Sequence, residues 1–82
     1  MKDEELLERI EQDPNRMAGK PVVRGTRLTV EFILKLLAHG ASEAEILEEY
    51  ARLEREDILA CLLFAQKMVG EASFVPRSRE SA

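Results

Sequence analysis

The chain predicts a mainly α domain in which an N-terminal β-hairpin precedes a bundle of three helices. Three observations lead there. Residues Gly19-Lys20-Pro21-Val22-Val23-Arg24-Gly25-Thr26-Arg27-Leu28-Thr29-Val30 set two short runs of alternating apolar residues on either side of a glycine turn, which is the pattern of a hairpin. From Val30 onward the apolar spacing lengthens to that of a helix. The helical stretch is interrupted by Gly40, by Ser42 with Glu45, and by Ala51-Arg52-Leu53, and these breaks divide it into three.

Asp3 to Arg9 has room for a turn of helix with Leu6, Leu7 and Ile10 on one side, too short to stand alone. Arg9-Ile10-Glu11 equally fits an edge strand beside the hairpin, ended by the turn residues Asp13-Pro14-Asn15. Arg16 to Gly19 then links this segment to the hairpin. There Gly25 opens a two-residue loop with Thr26 and supplies the positive φ of a type II′ turn. Arg24 and Arg27 would then face each other beside the turn. Like charges opposed across strands weaken a sheet unless an anion or a carboxylate lies between them, so the tip reads as a docking point. The plainer alternative turns both guanidiniums into solvent or onto Glu11 or Glu31.

The first bundle helix runs from about Val30 to Ala38, with Thr29 as N-cap, Ile33, Leu34 and Leu37 on its buried stripe, and Gly40 as a left-handed stop. His39, in its last turn, suits the helix dipole and a free carbonyl rather than a metal or a catalytic base. Ser42 and Glu45 form a capping box for the second helix, whose apolar face is Ile46, Leu47 and Tyr50. The third helix spans about Arg55 to Val69, stopped by Gly70, with a core stripe at Ile58, Cys61, Leu62, Ala65 and Val69. Leu59, Leu63, Phe64 and Met68 widen that stripe beyond one face. Either the core wraps around this helix or part of it meets another copy; the small size of the domain favours the second, with Val22, Leu28, Leu59, Leu63 and Phe64 as the expected interface of a homodimer or higher oligomer. Residues 1–70 thus form one domain, and 71–82 read as a mobile C-terminal tail.

Composition narrows the function. With 82 residues, 45% of them apolar but only 5% aromatic, the domain has a thin core. No apolar run is long enough for a membrane span, and the start Met1-Lys2-Asp3-Glu4-Glu5 is wrong for a secretory signal, so a cytoplasmic protein is expected. Cys61, the single cysteine, reads as a small buried hydrophobe. A net charge of −4 argues against a general nucleic-acid binder. Its distribution is uneven: Arg16, Lys20, Arg24 and Arg27 occur between Pro14 and Val30 with no acid, whereas Glu43 to Asp57 holds seven acids against Arg52 and Arg55. A basic hairpin joined to an acidic helical region suits self-association or a partner of mixed charge. Nucleophile with base, paired carboxylates, metal cluster and phosphate-cradling loop are all missing as sequence patterns, so no enzyme and no cofactor are expected.

Asp13-Pro14, Gly19-Lys20-Pro21-Val22-Val23-Arg24-Gly25-Thr26-Arg27, Gly40, Ser42 with Glu45-Ile46-Leu47, Tyr50, Leu53 and Glu56-Asp57-Ile58 together closely resemble the domain-of-unknown-function 433 family, over about residues 9 to 69. The resemblance implies a β-hairpin followed by a homeodomain-like three-helix unit of helix-turn-helix type, the second helix supporting and the third reading DNA. It also implies an antitoxin of the VapB type, paired with a PIN-like ribonuclease toxin. Two positions depart from the family's habit, Ala51 and Glu54 standing where Pro and Thr are common. Glu54, Arg55, Glu56 and Asp57 set three acids against one base where phosphates would crowd, so DNA contact is expected instead from Arg16, Lys20, Arg24 and Arg27. Phe74 would anchor the tail on the toxin while Arg77 or Arg79 pairs with its metal-binding carboxylates. The expected function is therefore a non-catalytic antitoxin with a PIN-like toxin as partner and operator DNA as a further one. A reading from another class is an interaction or dimerisation module with no nucleic-acid role, which the acidic balance and the broad apolar face of the third helix support.

Overall fold

A computed structural model describes residues 1–71 of the chain. The element order is α1 (Asp3–Leu7), β1 (Ile10–Glu11), a 3-10 turn (Met17–Gly19), β2 (Val22–Val23), α2 (Val30–Ala38), α3 (Glu43–Glu49) and α4 (Arg55–Glu71). The chain is mainly α, with a small N-terminal antiparallel pair ahead of the helices. Thr29 caps α2, its Oγ1 accepting from the Phe32 amide at 3.0 Å. At the other end Gly40, at φ 96°, takes the left-handed position, and the Ala41 and Gly40 amides bond the Leu36 and Leu37 carbonyls at 3.0 and 3.1 Å. His39 Nδ1 donates to the Lys35 carbonyl at 2.8 Å, the C-terminal role expected of it. Ser42 Oγ accepts from the Glu45 amide at 3.0 Å while Glu45 Oε1 accepts from the Ser42 amide at 2.8 Å, so the capping box is complete.

The N-terminal segment satisfies both readings offered for it. Asp3–Leu7 is helical, and Ile10–Glu11 is a strand. That strand is the partner of Val22–Val23, with Ile10 opposite Val23 and Glu11 opposite Val22. The run after Gly25 adds only a bridge between Val22 and Thr29, with a Val23 to Leu28 bond of 2.9 Å. Thr29 is already the cap of α2 and turns the backbone into the helix, which leaves that run no length to become a strand.

The turn register also differs from the sequence expectation. The Thr26 amide bonds the Val23 carbonyl at 3.0 Å, so Arg24 and Gly25 are the central residues, with Gly25 third at φ 82°. That is the type II arrangement, in which glycine follows the first corner residue. Thr26 locks it, its Oγ1 donating to the Val23 carbonyl at 2.8 Å and accepting from the Leu28 amide at 3.0 Å. Arg24 and Arg27 consequently belong to a loop and are not facing strand residues. Gly70 likewise lies inside α4 and does not stop it; one glycine costs only about 1 kcal/mol against alanine, which a long helix tolerates.

Helix α4 packs against α1, α2, α3 and β1. Ile33, Ile46, Ile58, Val23 and Cys61 are the largest fully buried side chains, joined in the core by Val30 and Leu53. Between the strands, Met17, Ala18 and Gly19 form a left-handed turn at φ 48°, 57° and 77°. Gln12 Nε2 pins it by donating to the Gly19 carbonyl at 3.0 Å.

Candidate functional site

The first turn of α4 is spoken for by the protein itself. Glu54 precedes the helix, and Asp57, three residues on, accepts from the Glu54 amide through Oδ2 at 2.8 Å. Asp57 thereby supplies the half of a capping box that does not depend on a hydroxyl at position 54. Its other oxygen takes Arg9 Nη1 at 3.0 Å, and Arg9 reaches Glu54 Oε1 at 2.9 Å. The Glu54 and Asp57 carboxylates hold the Arg9 guanidinium above its usual pKa, the Glu54 hydrogen bond contributing most. Arg55 turns back to Glu43 at 3.2 Å. Glu5 and Glu8 from the N-terminal segment line the same depression as Arg9, Glu54 and Asp57, together with Arg24 and Arg52. The end of α4 that a helix-turn-helix would offer to DNA therefore borders a depression of mixed charge, four acids among three arginines, and is tied to the N-terminal segment through Arg9.

Of the four cations expected to contact phosphate, two have acidic partners. Lys20 Nζ lies 2.8 Å from Glu31 and Arg16 Nη1 lies 3.4 Å from Glu11. Arg24 and Arg27 are exposed on the loop and have no ion-pair partner among the described residues. The structure adds a residue that sequence reasoning missed. Arg52, in the connection between α3 and α4, donates to the Gly25 carbonyl at 3.1 Å and so joins the basic loop from 27 positions away. Only the placement of an arginine in a helix break hinted at it. Between these elements opens a cleft of about 580 Å³ with Arg16, Arg27 and Arg52 on its walls and Leu28, Tyr50 and Ala51 in its lining. The Tyr50 ring is held edge-on against Phe32, centroids 5.8 Å apart and planes at 90°.

A second surface is apolar. Leu62, Met68 and Val69 of α4 are exposed, the last two at 55% and 66%. Met68 and Val69 border a groove of about 310 Å³ with Pro21, Leu34 and Phe64, and Glu31 stands at it. Of the residues expected at a dimer interface, Leu59, Leu63 and Phe64 are half-buried on α4 and Leu28 is half-buried against the core. Val22 is only 3% exposed within the chain, because strand pairing and packing already cover it. Phe74, Arg77 and Arg79 lie outside the described residues. Cys61 is fully buried, and desolvation pushes its thiol up to about 12, so it is held as the neutral thiol. No described helix is long and apolar enough to cross a membrane.

The class that emerges is a mainly α domain with a two-stranded N-terminal sheet, which displays a basic loop on one side and an apolar helix end on another. The chain belongs to the family described as Protein of unknown function (DUF433), whose model matches residues 10–65. It is similar to the crystal structure of a DUF433 member protein from Anabaena variabilis, with a TM-score of 0.73 and 25% identity, over 83% of this chain and 67% of that one. No curated protein matches it.

Proposed function

We propose that the chain is a non-catalytic protein-binding partner of antitoxin type, seating the C-terminal end of α4 and the residues after it on a PIN-like ribonuclease. The observation that carries this reading is the exposure of Met68 and Val69, 55% and 66%, at the end of a helix whose first half is buried. Apolar side chains grouped in the open are the usual mark of a protein-contact surface. The sequence then runs on through Phe74, Val75, Arg77 and Arg79. The partner class comes from the resemblance to antitoxins. The reading carries protein binding and leaves operator DNA aside, since acids face the first turn of α4 and Lys20 is paired with Glu31.

The test is recovery of partners from the native cell on a chain tagged at Met1. A PIN-like nuclease should come with it, and Met68→Ser with Val69→Ser should lose the nuclease while the chain stays folded. Recovery of the same nuclease by that double variant would sink the assignment of the surface, and recovery of none at all would sink the partner. A second reading, self-association, is favoured by the groove of Pro21, Leu34, Phe64, Met68 and Val69. It would be selected by a chain that sediments as a dimer, becomes a monomer with the same two substitutions, and brings no nuclease.

A further inference from the structure

The cleft beside the Gly25 turn has a composition that the apolar helix end does not explain. Its volume, about 580 Å³, lies in the range of ligand sites, roughly 300 to 1,000 Å³. Among the described residues no acid lines it, and three arginines do. Arg27 has no ion-pair partner among the described residues, and Arg52 is satisfied only by the neutral Gly25 carbonyl. Arg16 is shared with Glu11 at 3.4 Å, with side chains 51% and 39% exposed, a pair weak enough to yield to a better acceptor. Guanidiniums in such numbers match carboxylates or phosphates through paired N–H donors.

Two features choose between these anions. Leu28, Tyr50 and Ala51 give the cleft an apolar lining, which a bare phosphodiester backbone would leave uncovered. A long polyanion leaving the cleft past Tyr50 or past Arg52 would also meet acids: Glu49 shares the neighbouring hollow with Tyr50, and Glu8 and Glu54 share the next depression with Arg52, beside Arg9 and Arg24. A short segment avoids both.

We propose that this cleft docks a short acidic peptide segment of a partner protein, its carboxylates on Arg16, Arg27 and Arg52 and an apolar side chain against Leu28 and Tyr50. The proposal rests on the protein-binding reading and gives it a second surface, of opposite chemistry to the end of α4. The bond from Arg52 to the Gly25 carbonyl ties the α3–α4 connection to the turn, so Arg52 is positioned before the segment arrives.

The experiment measures fluorescence polarisation of a labelled peptide of alternating aspartate and leucine against the full chain at low salt. Saturable binding is expected. Arg27→Gln with Arg52→Gln should weaken it about tenfold or more, as expected for loss of charge-assisted hydrogen bonds. Lys35→Gln with Lys67→Gln removes the same charge elsewhere and should leave binding unchanged. All four side chains are exposed, and unchanged thermal melting confirms that the variants fold. No saturation, or equal loss in the lysine variant, overturns the proposal. Tighter binding of a short oligothymidylate overturns it in favour of nucleic acid. Self-association that the arginine variant abolishes overturns it in favour of a second copy. None of these readings uses a nuclease, so a failed titration beside a successful nuclease recovery discards this cleft and keeps the helix surface.

Discussion

The two halves of α4 are one continuous helix with opposite environments. In the first half Asp57, Ile58, Ala60 and Cys61 are buried, and the turn is tied to the N-terminal segment through Arg9. In the second half nothing from Gln66 to Glu71 is buried, and Met68 and Val69 stand open. An ion pair marks each end: Arg9 with Asp57, side chains 24% and 10% exposed, at the start, and Lys20 with Glu31, 54% and 71% exposed, beside the groove near the finish. The difference teaches that the first half holds the domain together, while the second, open to water, contributes little to folding. Burial converts contacts into stability only where water is excluded from both sides.

The sharpest break of that comparison exchanges equivalent truncations between the halves. Ile58 is 1% exposed and Val69 66%. Ile58→Ala should cost about 2 to 5 kcal/mol through lost burial and the cavity left behind. Val69→Ala should change stability by less than about 0.5 kcal/mol. Urea unfolding of both variants checks the pair; similar midpoints would show that the second half of α4 is part of the core after all.

Next in size is the tie at the start of the helix. Asp57→Ala removes the acceptor of the Glu54 amide and one of the two carboxylates on Arg9. A loss of about 1 to 3 kcal/mol is expected, typical of a broken part-buried network. Arg9→Ala should cost less when Asp57 is already alanine than when it is present, since the two share one interaction. A double-mutant cycle by thermal unfolding measures the coupling, and additive losses would mean that Asp57 acts as a helix cap alone.

What the sequence disclosed follows the same division between local and distant effects. Thr29, Gly40 and the Ser42–Glu45 box act within four residues of themselves, and each lies where its own chemistry requires. Of the core stripe expected on α4, Ile58 and Cys61 are buried because a helical period repeats locally, but Ala65 is only half-buried and Leu62 and Val69 are exposed at 44% and 66%, since the period continues past the point where other elements cover the helix. Pairing of Ile10–Glu11 with Val22–Val23 depends on two strands of two residues each meeting across a linker, and nothing in so short a run fixes its partner. The turn slipped by one residue because Arg24-Gly25 and Gly25-Thr26 both offer glycine, and the Thr26 hydroxyl decides between them. Arg16, Lys20, Arg24 and Arg27 looked equivalent in the sequence. Tertiary structure pairs the first two with Glu11 and Glu31 and brings Arg52 to the loop, and no local pattern carries that information.

The smallest effect lies at the exposed pair. The Lys20 ammonium, 2.8 Å from Glu31, holds that carboxyl below the usual carboxylate range, chiefly through the hydrogen bond, with the charges of Lys20 and Lys35 adding to it. A carboxylate whose pKa is depressed by folding supports the folded state above its unfolded pKa, and that support is lost as pH falls through the depressed value. Both side chains are more than half exposed, so water and salt screen the pair and its share of stability is small. Lys20→Gln should therefore move the Glu31 titration, followed by the side-chain carboxyl carbon in NMR, back up toward the ordinary range. Unfolding at neutral pH should hardly change. If that substitution instead destabilised the chain as much as Asp57→Ala, the groove beside Met68 would be structural, and the contrast between the two ends of α4 would fall.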